Sequence, residues 1–278
     1  MTIFTKIALC DNKGVVKIKA VAFDFDGTLY PERSLYIRSA TLALRNPRFL
    51  WAYQKARSQL RVAKPASIPV SLQYNSYAQC SVPLQGARKW RWEGFEEKRS
   101  TLEAFRREQA TLIGQAMGLD EASAEGLANR VIYGALEKAF VHIEPYRGIK
   151  ACLEALKRQN LQLAVLSDLP PWEKLRVLGL DSYFDLVLCS ECSGRLKPDP
   201  RPFSFLSERL GLDPAEILYV GNNWGNDIEG AKKAGLHTAF FGRHPRRKNT
   251  ADFSFHDWKS LTSWVLGAQE PVRKAINE

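Results

Sequence analysis

The sequence predicts an α/β protein in which helices cover both faces of a parallel β-sheet and a mostly helical insert interrupts that sheet. From about residue 142, short apolar runs alternate with helix-like stretches. This order favours parallel strands joined by right-handed helical crossovers. Residues 31–141 contain helical periodicity and no strand signal of comparable strength. We therefore predict a doubly wound core of residues 1–30 and 142–278 and a mostly α-helical insert of residues 31–141.

The predicted core contains five strands and three helices. Short apolar runs give the strands, at residues 20–25, 161–166, 185–189, 217–220 and 238–241. Helices are predicted after or between them, at residues 149–158, 202–210 and 227–234.

Helical signals dominate the insert. Apolar residues recur at helical spacing in residues 102–116 and 127–140. Asn46 and Pro47 are typical of a helix start, because Asn caps the first turn and Pro fits its first position. Prolines interrupt the pattern between residues 64 and 94, so an irregular stretch is predicted there.

The net charge of +10 is concentrated in the insert, where residues 31–141 carry 17 Lys and Arg against 10 Asp and Glu. A basic surface attracts small anions, nucleic acid or anionic membranes, and charge alone does not separate these. A solvated helical face is the simpler explanation. Trp90 and Trp92 could stack on bases, but we interpret them as anchors between insert and core, which makes nucleic acid an unlikely partner.

Cysteine usage and hydropathy predict a cytoplasmic protein. The five cysteines are odd in number and scattered, which favours free thiols over a disulfide framework. Cys189 and Cys192 are interpreted as a strand end that runs into a loop. No apolar stretch approaches the roughly 20 residues that span a bilayer, and the first residues lack the pattern of a secretory signal. We expect no membrane association.

The segment DFDGTLY at residues 24–30 places Asp24 and Asp26 two positions apart at the end of an apolar strand. Side chains at this spacing face the same side of a strand, which suits one carboxylate for attack and the other for proton transfer. Gly27 lets the chain turn, and Thr28 can fix that turn. Two ionised carboxylates this close repel, so either a cation lies between them or one pKa is raised. An ordinary Asp-Gly turn is the alternative.

Polar residues also follow the other predicted strands. Ser167 and Asp168 close the second strand, Lys197 lies in the loop after the third, and Asn222 follows the fourth. In open α/β sheets, ligands bind beyond the carboxyl ends of the strands. The sequence therefore predicts one site at this edge of the sheet.

Four segments in this order resemble the motifs of the haloacid dehalogenase superfamily, and more narrowly those of its metal-dependent phosphatases. They are DFDGTLY, VLSD at residues 165–168, GRLKPDPRPF at residues 194–203 and VGNNWGNDIEGAKKAG at residues 220–235. The resemblance covers residues 20–30 and 142 to about 266. It implies a Rossmann-like core and identifies the insert as the helical cap that the family places between its first and second motifs.

The resemblance also implies a mechanism. Asp24 is the nucleophile that forms an aspartyl phosphate, and Asp26 is the general acid and then the general base. Lys197 supplies positive charge in the transition state. Mg²⁺ is the implied cofactor, held by Asp24, the Asp26 backbone carbonyl, Asn222 and Asp227. The implied phosphate-binding residues are Ser167, Asp168, Lys197, Gly27 and Thr28.

Asn222 departs from the family pattern, which has Asp at this position. An amide offers an oxygen but no charge, so metal binding could rest more on Asp227, or activity could be low. Three functions follow: a phosphatase acting on a small phosphorylated metabolite, a regulatory protein that binds phosphate without turnover, and a metal-free haloacid dehalogenase. Asp26 argues against the last, because such enzymes typically lack an acid there. The sequence indicates neither the substrate nor the oligomeric state.

Overall fold

The computed structural model describes residues 10–11, 14–15, 17–33, 35, 44–62, 96–134, 138–242 and 251–276. The predictions for the irregular stretch at residues 64–94, for Cys80 and for Trp90 and Trp92 lie outside these residues.

Six parallel strands form the central sheet. A short antiparallel pair precedes it, β1 (Cys10–Asp11) with β2 (Gly14–Val15). The sheet strands are β3 (Ala20–Phe23), β4 (Gln162–Ser167), β5 (Leu186–Cys189), β6 (Ile217–Gly221), β7 (His237–Phe241) and β8 (Phe253–Phe255). Their order is β5-β4-β3-β6-β7-β8, and every neighbouring pair is parallel. Strand β3 is therefore central, with β4 and β6 on either side.

The insert is helical wherever the structure describes its regular elements. It contains α1 (Pro47–Val62), α2 (Glu96–Met117) and α3 (Glu121–Ala128), followed by a π-helical segment, Asn129–Gly134. Apolar residues from all four pack into a core of their own, which includes Phe49, Ile113, Ala124 and Val131. A smaller cluster of Leu60, Phe105 and Leu196 joins this cap to the sheet domain. The domain boundaries at residues 31 and 141 stay a prediction.

Helices cover both faces of the sheet, as a doubly wound fold requires. One face packs against α4 (Ile149–Arg158), α5 (Trp172–Leu178) and α8 (Trp258–Ile276). The other packs against α6 (Pro200–Leu210) and α7 (Gly230–Lys233). Successive residues of β3 point to opposite faces, so Val21 and Phe23 join the first layer while Ala20 and Ala22 join the second. The predicted α/β fold is confirmed.

The sequence predictions differ from the structure in a few elements. The predicted helix at residues 227–234 is divided between a π-helical segment, Trp224–Glu229, and α7. The predictions do not include α5, β8 or α8. Seven and three residues are too few for a periodic signal in α5 and β8, and α8 contains Gly267 and Pro271, which are poor helix formers.

Two further predictions concern cysteines and membranes. The described cysteine side chains, Cys152, Cys189 and Cys192, are thiols that take part in no disulfide, as expected. No helix in the described ranges combines the length and low polarity that crossing a bilayer requires.

Candidate active site

The carboxyl ends of β3, β4 and β6 bring the predicted site residues together. Phe23, the last residue of β3, is in register with Val165 of β4 and with Val220 of β6. The Asp24 backbone N–H donates to the Val220 carbonyl at 2.8 Å and so extends the ladder by one residue. The Asp24 side chain thus lies at the centre of the sheet edge, between the polar residues that follow the neighbouring strands.

The turn after Asp24 is tight and packs directly against Asn222. Gly27 has a φ of 81°, in the left-handed region that favours glycine. A β-carbon at this position would lie 2.3 Å from Asn222 Nδ2, so any side chain would displace the amide. The Thr28 hydroxyl lies 2.9 Å from Asp24 Oδ2 and 3.2 Å from Asn222 Oδ1. Gly27 and Thr28 therefore link the first and fourth motifs.

Lys197 lies between two carboxylates. Its Nζ is 2.7 Å from Asp24 Oδ1 and 2.7 Å from Asp227 Oδ1. It also lies 3.0 Å from the Tyr219 hydroxyl, which in turn donates to the Leu166 carbonyl. All four side chains are buried. After the role that the resemblance implies for Asp24, we call Asp24, Lys197, Tyr219 and Asp227 the nucleophile cluster.

The pKa values of Asp24 and Lys197 are both raised in this cluster, for different reasons. Removal from water, followed by the charge of Asp227, raises the pKa of Asp24 to about 7, although Lys197 acts against both. Burial opposes the charge on Lys197, but Asp227 and Asp24 outweigh it and raise the pKa of the ammonium well above its ordinary value. The cluster holds two acids and one permanent cation, so Asp24 is poised to gain or lose a proton near neutral pH.

Asp26 has contacts that the sequence does not predict. The spacing of Asp24 and Asp26 predicts that both side chains share one face of a strand. This prediction is wrong for Asp26, because strand β3 ends at Phe23 and Asp26 lies in the following turn. Its Oδ1 accepts hydrogen bonds from the Tyr30 hydroxyl at 2.6 Å and from Lys174 Nζ at 2.8 Å. The repulsion expected between Asp24 and Asp26 is thus relieved in two ways, because each carboxylate has its own ammonium partner and the pKa of Asp24 is raised.

Ser167 and Asp168 follow β4, as predicted. Ser167 is fully buried, and its hydroxyl accepts from the Leu169 backbone N–H at 3.3 Å. Asp168 Oδ1 accepts from the Lys197 backbone N–H at 3.2 Å, and Oδ2 accepts from Arg61 at 2.7 Å. Burial alone would raise the pKa of Asp168, but Lys197, Arg61 and Arg57 hold it below its ordinary value. The contacts of Asp168 tie the second motif to the third and to the cap.

A second buried group of charges joins the cap to the sheet domain. Glu191, in the turn after β5, is fully buried and lies 2.7 Å from Arg57 Nη1 of α1. The Tyr133 hydroxyl donates to the same carboxylate oxygen at 3.0 Å. Arg57 also donates to the Asp168 carbonyl at 2.8 Å. We call Arg57, Arg61, Tyr133, Asp168 and Glu191 the cap–core cluster.

The sequence motifs do not predict several of these contacts. Arg57, Arg61, Tyr133, Lys174 and Glu191 belong to none of the four motifs, and they approach the site from helices and turns that are distant in sequence. The spacing of Arg57 and Arg61, one helical turn apart, is the single pattern that could have placed both on one face of α1.

The predicted metal ligands offer only oxygen atoms. Asp24 Oδ2 and Asn222 Oδ1 both lie within hydrogen-bond distance of Thr28 Oγ1, so they face a common point. Asp227 shares the Lys197 ammonium with Asp24, and its Oδ2 accepts from the Asn223 backbone N–H at 2.9 Å. Among the described residues no group of three His, Cys, Asp or Glu side chains has the arrangement of a metal site. Mg²⁺ commonly uses one or two carboxylates, with water and substrate phosphate, so this donor set fits it.

Comparison with known proteins identifies a family. A model of the haloacid dehalogenase-like hydrolases matches residues 18–235, most of the chain. A glyceraldehyde 3-phosphate phosphatase of Methanopyrus kandleri is 29% identical over 227 residues, which are 80% of this chain and 82% of that protein. A phosphoglycolate phosphatase of Aquifex aeolicus is 41% identical over 107 residues, which are 37% of this chain and 50% of that protein.

Solved structures share the fold. A HAD phosphatase from Thermococcus onnurineus is 24% identical with a TM-score of 0.54, covering 91% of this chain and 99% of that chain. A 2-haloacid dehalogenase from Pseudomonas syringae is 23% identical with a TM-score of 0.53, covering 90% of this chain and 98% of that chain. Structures of both activities are equally similar, so the fold does not distinguish between them.

Proposed function

The chain belongs to the haloacid dehalogenase-like hydrolases, and we propose that within this family it is a phosphatase that hydrolyses the phosphate ester of a small metabolite. One observation carries the proposal. A buried carboxylate, Asp24, is paired with a buried ammonium, Lys197, and a second carboxylate, Asp26, lies two residues away with a separate partner. Phosphoryl transfer through a covalent intermediate requires a nucleophile, a cation and a proton donor.

In the first step, an Asp24 carboxylate oxygen attacks phosphorus and the bond to the leaving oxygen breaks. The Lys197 ammonium, held beside the attacking carboxylate at 2.7 Å, offers hydrogen bonds to the phosphoryl oxygens as they gain charge. Asp24 attacks in its ionised form. Its pKa near 7 leaves that form well populated at neutral pH.

Asp26 moves the protons. In its protonated form it donates to the leaving alkoxide, and in the second step the resulting carboxylate takes a proton from the water that attacks the aspartyl phosphate. Inorganic phosphate then leaves, and both carboxylates return to their starting forms.

The other motif residues would bind and orient the phosphoryl group. The Ser167 hydroxyl and the backbone of the Gly27 and Thr28 turn would supply hydrogen-bond donors. The Asp168 carboxylate accepts from the Lys197 backbone N–H and so holds the Lys197 loop in place. Mg²⁺ would be held by Asp24, the Asp26 carbonyl, Asn222 and Asp227, and when bound it would neutralise charge on the phosphoryl oxygens. Asn222 contributes no charge, so Asp24 and Asp227 supply both negative charges of this set.

The names of the relatives support a small substrate. The matched phosphatases are named for glyceraldehyde 3-phosphate and phosphoglycolate, both small phosphorylated acids or aldehydes. A cap with an excess of positive charge suits such anions. We extend this substrate class, and not either individual compound, to this chain.

The test is phosphate release from p-nitrophenyl phosphate by the wild type and by Asp24→Asn. With Mg²⁺ the wild type should turn over, and the variant should lose about a thousandfold or more in kcat. Glu125→Gln, the same change from acid to amide at an exposed position of α3, should keep the wild-type rate. Chelation by EDTA should abolish activity.

Equal rates for the wild type and Asp24→Asn would contradict the proposal and favour a protein that binds phosphate without turnover. Chloride release from a haloacid in EDTA would favour the dehalogenase alternative.

A further inference from the structure

Lys174 is a buried cation close to the proposed acid and base, outside every motif of the sequence. It comes from α5 and is only 8% exposed. Its ammonium lies 4.6 Å from the centre of the Phe25 ring and 5.9 Å from that of Phe140. A buried ammonium is costly unless it is paired and hydrogen-bonded, and the Asp26 carboxylate at 2.8 Å supplies that pairing.

Tyr30 contacts the same carboxylate oxygen. Its hydroxyl lies 2.6 Å from Asp26 Oδ1, and the ring is fully buried against Phe25 and Phe140. The hydroxyl is the donor of this hydrogen bond, because an ionised carboxylate oxygen can only accept. Oδ1 therefore accepts two hydrogen bonds from two side chains that neighbouring rings hold in place.

From this arrangement we infer that Lys174, assisted by Tyr30, is a positioning residue for Asp26. With Oδ1 occupied by two donors, the proton that Asp26 transfers is carried on Oδ2, and the rotation of the carboxylate is fixed. Lys174 does not touch the reacting atoms in this scheme. The inference rests on the proposed function, because it assumes that Asp26 is the general acid.

A purely structural role for Lys174 would give a different result. If Lys174 only attached α5 to the core, its loss would lower stability and affect all substrates alike. A positioning role affects the acid step alone, and that step matters most when the leaving group is a poor one. Phenyl phosphate and p-nitrophenyl phosphate separate the two cases. Both carry the same phosphoryl group on an aromatic ring, but their leaving phenolates differ in basicity.

The experiment measures kcat/KM with Mg²⁺ for p-nitrophenyl phosphate and for phenyl phosphate, since this ratio reports the phosphoryl-transfer step. Lys174→Met keeps the side-chain length and suits the aromatic surroundings. It should lose about tenfold on phenyl phosphate and less than about threefold on p-nitrophenyl phosphate. Lys174→Arg should recover most of the loss. Tyr30→Phe, which removes a single hydroxyl, should also lower kcat/KM more for phenyl phosphate than for p-nitrophenyl phosphate, by a smaller factor than Lys174→Met.

Asp26→Asn is the reference, with an expected loss of about a hundredfold on phenyl phosphate and much less on p-nitrophenyl phosphate. Equal losses on both substrates for Lys174→Met and for Tyr30→Phe, beside a selective loss for Asp26→Asn, would overturn the inference and leave the proposed function standing. Equal losses for Asp26→Asn itself would overturn the acid role and the inference together. If Lys174→Met fails to fold, Tyr30→Phe decides alone.

Discussion

The two charge clusters of this protein differ in their ratio of cations to carboxylates. The nucleophile cluster sets two carboxylates, Asp24 and Asp227, against the single ammonium of Lys197. The cap–core cluster sets Glu191 and Asp168 against Arg57 and Arg61, and Arg106 Nε also lies 3.6 Å from Glu191. The first cluster therefore has one cation for two carboxylates, beside oxygen donors that suit a further cation, whereas the second has three cations for two carboxylates. We interpret the first as a site for a ligand and the second as a contact that holds the cap on the core.

The largest expected effect comes from breaking the cap–core cluster. Arg57→Met leaves the fully buried Glu191 without its closest cation, and loss of one partner of a buried ion pair typically costs about 3–5 kcal/mol. We expect a fall of that size in the free energy of unfolding, measured by urea denaturation. Arg57→Met/Glu191→Met should recover at least half of the loss, because it removes the unpaired charge.

The matched control is the exposed pair of Arg158 and Glu154 on α4. Arg158→Met should change the free energy of unfolding by no more than about 0.5 kcal/mol. A fall below about 1 kcal/mol for Arg57→Met would mean that the cap–core cluster does not hold the domains together.

In the nucleophile cluster, removal of a charged group should raise the free energy of unfolding at neutral pH, by less than Arg57→Met lowers it. A carboxyl whose pKa is raised to about 7 keeps its proton in the folded state at a pH where the unfolded chain has lost it. The wild type therefore loses stability as pH rises from about 4 to about 7. Asp24→Asn removes this ionisation, so in EDTA its stability relative to the wild type should rise by about 2–3 kcal/mol between pH 5 and pH 8, at about 1.4 kcal/mol for each pKa unit.

Urea denaturation at several pH values checks this expectation, with Glu125→Gln as the control that should show no such trend. A difference between Asp24→Asn and the wild type that is constant with pH would show that Asp24 is ionised throughout this range. The contrast between the two clusters would then be lost.

The sequence predicts the nucleophile cluster far better than the cap–core cluster, for a physical reason. Strand ends of a parallel sheet meet at one edge, so Asp24, Lys197 and Asn222 could be grouped from the order of strands, and Asp227 was added by the resemblance of the fourth motif. Arg57 and Glu191 are 134 positions apart and meet only because the cap packs on the core. Lys174 belongs to a helix of seven residues, too short for periodicity to indicate which face is buried.

The local geometry within the motifs could not be predicted from the sequence either. The spacing of Asp24 and Asp26 indicated a shared strand face, but β3 ends at Phe23 and the turn directs Asp26 toward Tyr30 and Lys174. The position of a strand end depends on hydrogen bonds to neighbouring strands, which a single motif does not specify.

The most direct test of the account is to trap phosphate on Asp24. Asp26→Asn should still accept phosphate from p-nitrophenyl phosphate, whose leaving group needs little protonation, but should hydrolyse the intermediate slowly because the general base is missing. After acid quenching, mass spectrometry should find one phosphoryl group on the peptide that contains Asp24, and none in Asp24→Asn/Asp26→Asn. Turnover without that modification, or phosphate on another residue, would contradict the assignment of Asp24 as the nucleophile.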